Sequence, residues 1–128
     1  MAFPAFLDTC VLYPAYLCDA LLRLAEAATY RPLYRHVLAA TVRANAEVLV
    51  TFNMSDFPGP ALKPYDVEAI HPDEFLLDQL DLYPGATVDV LRQQAAAYRR
   101  VPNTVPDILV LLERTGVPRF AAEARRHL

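Results

Sequence analysis

The run Glu47-Val48-Leu49-Val50-Thr51-Phe52, closed by Asn53, constrains the fold more than any other stretch of the chain. It is short, apolar and β-branched, with no polar alternation, so it reads as a buried strand of a parallel sheet. A parallel sheet needs crossover connections and helices over its faces, so this run already predicts an α/β fold. The segment Phe6-Leu7-Asp8-Thr9-Cys10-Val11-Leu12 opens with a second short strand, broken by polarity at Asp8. Residues 65–70 alternate as an edge strand does. Between the strands, Leu17, Leu21, Leu24 and Ala28 predict a helix over 16–28, and Val37, Ala40, Thr41 and Ala44 predict another over 36–45. Pro32 reads as the breaker between them.

After His71-Pro72 the chain reads as helical to its end. Asp73 to Leu82 forms one segment, and Thr87 is placed to cap a second that runs to Arg100. Thr104-Val105-Pro106-Asp107 resembles a capping box that opens a third, through Arg114. A last short helix follows Pro118. The expected organisation is an α/β unit at 1–70 and a helical C-terminal extension at 71–128.

Composition narrows the function. Apolar residues make up 55% of the 128, enough for a core at this length. A net charge of -3 argues against holding nucleic acid by a broad basic surface, and leaves room for gripping phosphates through a bound cation. No apolar run approaches the ~20 residues of a membrane-spanning helix. The start, Met1-Ala2-Phe3-Pro4, lacks the basic residues of a secretory signal, so a cytoplasmic protein is expected. In that compartment Cys10 and Cys18 are expected to be small core residues and not a disulfide.

Two aspartates occupy matching places. Asp8 follows the first strand, and Asp56 follows the run 48–51 by one short loop. Ligands of open α/β sheets bind beyond the carboxyl ends of the strands. Two carboxylates converging there repel each other, and a hard cation such as Mg²⁺ or Mn²⁺ is the natural third party. Asn53 and Thr51 could add neutral oxygens. Glu26, Asp66, Glu68 and Glu113 read as solvated surface, His36 and His71 as surface or capping groups, and Arg99-Arg100 and Arg125-Arg126 as solvated helix ends.

Two strings carry a family resemblance. Phe6 to Pro14 resembles the opening strand of PIN domains with its aspartate. Arg35 to Pro58 resembles the last helix, strand and acidic loop of that family. Residues 65–67, 72–76 and the later helices resemble the C-terminal extension of a PIN subgroup similar to VapC toxins of toxin–antitoxin pairs. The resemblance implies a three-layer PIN-like fold and a Mg²⁺- or Mn²⁺-dependent ribonuclease. It carries Asp8 to the first acidic position, Asp56 to the last, and Asn53 to a polar neighbour of the ion. It implies RNA as substrate and a cognate antitoxin as partner.

The departures from the family are as informative. Tyr34 stands where an aspartate is expected, and the segment bearing a further glutamate is absent, so two of four acidic ligands are missing. Impaired activity is expected. At the limit the chain is a non-catalytic remnant that only binds an antitoxin or other protein, or a helical interaction module built on its C-terminal half. No sequence pattern supports Asp19 or Glu26 as a substitute ligand. The deletion is also expected to leave one side of the first strand unpaired, inviting a homodimer by swapping or edge pairing.

Overall fold

A computed structural model describes residues 4–7, 15–33 and 48–128. Strand β1 (Pro4–Leu7) leads to helix α1 (Ala15–Glu26) and strand β2 (Arg31–Leu33). Strand β3 (Val48–Val50) is followed by a 3-10 turn at Met54–Asp56, the single-turn helix α2 (Gly59–Leu62), a second 3-10 turn at Lys63–Tyr65, and strand β4 (Glu68–Ile70). Four helices complete the chain: α3 (Pro72–Leu82), α4 (Pro84–Ala97), α5 (Val105–Thr115) and α6 (Pro118–Arg125). The predicted helix at 36–45 lies outside the described residues.

The strands form one parallel sheet in the order β2-β1-β3-β4. The α/β class read from the run at 48–52 is therefore correct. Two expectations about β1 are not. Arg31-Pro32-Leu33 is a strand and not merely a breaker, and it pairs with β1 through Pro4↔Arg31, Ala5↔Pro32 and Phe6↔Leu33. Consequently β1 is paired on both sides, and the unpaired flank expected from the deletion does not exist. The physical reason is β2's place at the sheet margin: an edge strand uses only half of its backbone groups in pairing, so the missing N–H of Pro32 is tolerated there.

Leu7, Val50 and Ile70 stand in one row across β1, β3 and β4 and belong to the main core. Helix α1 meets that face with Leu17, Ala20, Leu21 and Leu24, at helical spacing. The same core takes in Phe75, Leu76 and Leu80 of α3, Leu91 of α4, Leu109 and Leu112 of α5, and Phe120 and Ala124 of α6. One apolar cluster thus joins the sheet to the helical half. The opposite face carries Leu49, which packs with Leu62 and Val67 in a smaller cluster flanked by Phe57 and Ala69. Tyr30 ties the end of the β1–α1–β2 unit to α3: its ring meets Phe75 edge-on at 5.1 Å, and its hydroxyl donates to the Leu21 carbonyl at 2.7 Å.

Proline opens the later helices. Pro72, Pro84, Pro106 and Pro118 all lie in first turns, where a missing N–H costs no helical bond. Thr104 caps α5 as predicted, its hydroxyl accepting from the Asp107 amide at 3.3 Å. Thr87 does not cap α4. It lies inside the helix, and its hydroxyl donates to the Gln79 carbonyl at 3.1 Å. Pro84 had already started the helix, and α4 ends at Ala97, short of the predicted Arg100.

Two local features carry predictions. Gln79 is fully buried, and among the described residues neither polar atom of its side-chain amide has a hydrogen-bond partner. Burying an unmatched amide is costly, so Gln79→Met should stabilise the chain by about 1 kcal/mol. Urea unfolding should show a higher midpoint at an unchanged slope, and a lower midpoint would mean that the amide is satisfied in solution. Gly116 ends α5 at φ 124°, and a Cβ there would lie 3.0 Å from Cε1 of Phe52. Gly116→Ala should therefore cost about 1–3 kcal/mol, from backbone strain and the close approach to Phe52. The same urea titration would register the change as a lower midpoint.

Candidate functional site

The carboxyl ends of β1 and β3 are neighbours. Leu7, the last residue of β1 and the one before Asp8, pairs with Val50 in parallel register. Asp8 itself lies outside the described residues. Beyond Val50 the chain continues as an ordered turn. The Thr51 amide donates to the Ile70 carbonyl at 3.0 Å, which extends the pairing with β4. The Asn53 amide donates to Oγ1 of Thr51 at 3.0 Å, and the Asp56 amide to the Asn53 carbonyl at 3.0 Å. Phe57 anchors this turn on the smaller apolar cluster.

The backbone is thereby fixed while the side chains of Asn53 and Asp56 remain exposed. Asn53 makes no side-chain capping bond, so its amide oxygen is not spent on the turn. Thr51 differs from the expectation. It is fully buried and its hydroxyl accepts from Asn53, so it is not a solvent-facing ligand. A carboxylate and an amide are oxygen donors, the kind that hard divalent ions prefer. In chemical type Asp56 and Asn53 fit Mg²⁺ or Mn²⁺. No group of three or more His, Cys, Asp or Glu side chains that could hold a metal occurs among the described residues.

Two other acids, Asp19 and Asp73, are engaged elsewhere. Asp19 receives Nε of Arg23 at 2.8 Å and the hydroxyl of Tyr98. Burial, together with that hydrogen bond, pushes the Tyr98 phenol up to about 12, so it stays a proton donor across the physiological range. Gln94 donates through Nε2 to the Tyr16 carbonyl at 3.0 Å and to the Tyr98 hydroxyl at 3.1 Å. Glu26, Asp66, Glu68 and Glu113 are exposed, as the sequence suggested. His71 caps α3, its Nδ1 accepting from the Asp73 amide at 3.1 Å. Asp73 is buried and caps α6, a role that sequence reading missed because the contact spans 46–47 residues. Burial, with Asp19 beside it, raises the Cys18 thiol, which suits a half-buried packing residue and not a nucleophile.

A parallel α/β sheet with an exposed carboxylate on an ordered turn at the carboxyl end of an inner strand defines the class: an α/β protein with an acidic strand-end site. Comparison with known proteins narrows it. Residues 72–126 match the family described as the VapC50 C-terminal domain. The chain is 55% identical over 92 residues to VapC50 of Mycobacterium tuberculosis, a candidate ribonuclease by its name; the match covers 72% of this chain and 54% of that protein. The chain is VapC-like, and it spans about half the length of this relative. No solved structure matches it.

Proposed function

We propose that the chain is a divalent-metal-dependent endoribonuclease of the VapC toxin type, on a truncated PIN-like fold, with activity reduced by its small acidic set. The observation that carries the reading is the parallel pairing of Leu7 with Val50, which sets the strand end before Asp8 beside the strand end before Asn53 and Asp56. The VapC50 likeness agrees with it.

Asp8 and Asp56 would hold the ion, with Asn53 as a neutral neighbour. A bound Mg²⁺ or Mn²⁺ would neutralise a phosphodiester oxygen and acidify the attacking water. Phe57 anchors the turn on the smaller apolar cluster, and Asn53 and Asp56 on it are exposed, as a substrate-facing turn requires. Asp19, held by Arg23 and Tyr98, is not free to replace a missing ligand, which supports low activity. RNA is the proposed substrate, a cognate antitoxin the partner and the cytoplasm the location. Among the described residues no helix is long and apolar enough to cross a membrane.

The test is incubation of the purified chain with labelled single-stranded and structured RNA, with Mn²⁺ or with a chelator, beside Asp8→Ala. Cutting that needs both the metal and Asp8 supports the reading. Equal cutting by both proteins would mean a contaminating nuclease and end it. An uncut RNA would favour the second reading, a non-catalytic remnant that only binds a protein partner. That reading rests on Tyr34, which stands where the family has an aspartate, and on the absent segment that would carry a glutamate.

A further inference from the structure

We propose that Tyr98 and Gln94 are positioning residues, through which the helical half holds α1, the helix that follows Asp8 in the chain. The proposal rests on the nuclease reading only for its catalytic consequence. Its structural content stands on the hydrogen bonds alone.

Two bonds reach α1 from the end of α4. Gln94 Nε2 donates to the Tyr16 carbonyl at 3.0 Å, in the first turn of α1. The Tyr98 hydroxyl donates to Oδ2 of Asp19, one turn further on, and Oδ1 of the same carboxylate takes Arg23 at 2.8 Å. Gln94 also donates to the Tyr98 hydroxyl, so the phenol is oriented from one side and engaged from the other. The Tyr16 and Tyr98 rings meet edge-on at 5.7 Å. These contacts span 78 and 79 residues and fall on the first half of α1, the end nearest Asp8 in sequence.

A charge-assisted hydrogen bond of this kind resists local opening of the helix end it holds. The apolar packing of α1 fixes its face against the sheet, but such packing is non-directional and leaves rotation and sliding weakly opposed. Directional bonds to a first-turn carbonyl and to Asp19 oppose both. The helical half is thereby more than a cover for the core: it sets the placement of the helix that follows the proposed metal ligand in the chain.

The test is amide hydrogen exchange of the full chain, comparing Tyr98→Phe and Gln94→Leu with the unaltered protein. Tyr98→Phe keeps the ring contact with Tyr16 and removes only the hydroxyl. Exchange in the first half of α1 should rise about 10-fold, the loss of roughly one charge-assisted bond, with α5 and α6 unchanged. Asp19→Asn alone should raise it at least as much, since it weakens the bond from Tyr98 and the Arg23 ion pair together. An unchanged α1, or an equal rise in every helix, would overturn the clamp. In the Mn²⁺–RNA assay Tyr98→Phe should lower kcat with KM held, and equal kcat would overturn the catalytic consequence. Should the unaltered protein cut no RNA, the nuclease reading and that consequence fall together, while the exchange comparison still decides the clamp.

Discussion

Asp8→Ala and Asp56→Ala should each lower the proposed metal-dependent RNA cleavage by at least about 10²–10³-fold, the loss expected when one electrostatic element of an active site is removed. The argument is one of scarcity. Tyr34 stands where the resemblance places an aspartate and the segment bearing a further glutamate is absent, so on that reading neither carboxylate has a ready substitute. Two carboxylates hold Mg²⁺ weakly and depend on phosphate oxygens to complete the shell. Removing either leaves one charge against a divalent ion and little control over its geometry. On the proposed shared ion, the double variant should be scarcely worse than either single change. Initial rates with labelled RNA at fixed Mn²⁺ would measure all three proteins. The fold should survive Asp56→Ala, since that side chain is exposed and the turn is held by backbone bonds.

The second large effect is on stability. Asp73→Ala should cost about 2–4 kcal/mol. The carboxylate is 6% exposed and accepts from the Phe120 amide at 2.6 Å and the Arg119 amide at 3.0 Å. Those are first-turn amides of α6, whose own N-cap residue, Val117, supplies no side-chain bond. A negative charge there also meets the positive end of the helix dipole. Without it two amides lose their acceptor, and α6 loosens its hold on Phe120, Ala121 and Ala124 in the core. For a chain of 128 residues the thermal midpoint should fall by about 10 °C. Asp73→Asn keeps an acceptor oxygen without the charge, and should fall between the two. A midpoint unchanged in Asp73→Ala would mean that α6 is held by apolar contacts alone.

What the sequence made legible follows physical range. The strand at 48–50 announced itself because burial on both faces imposes a continuous apolar run. The caps at Thr104 and the helix starts at Pro72 and Pro118 were readable because their signals are local. Strand β2 was hidden because three residues containing Arg31 and Pro32 have no strand-like pattern, and only pairing with β1 makes them a strand. Thr87 misled because a threonine near a helix start reads as a cap, while here its hydroxyl reaches back to the preceding helix. The exposed turn that carries Asn53 and Asp56 was legible from its place after the run. The Asp19–Tyr98 bond, the Gln94 bond to Tyr16 and the Asp73 cap were not, because each joins residues at least 46 positions apart. Such contacts leave no mark in local composition.

Calorimetric titration of the purified chain with Mn²⁺, repeated on Asp8→Ala and Asp56→Ala, addresses the shared ion most directly. One site is predicted in the unaltered protein, weakened at least about tenfold, or ~1.4 kcal/mol, by either substitution. Binding of the same strength in all three proteins would place the ion elsewhere and contradict the account.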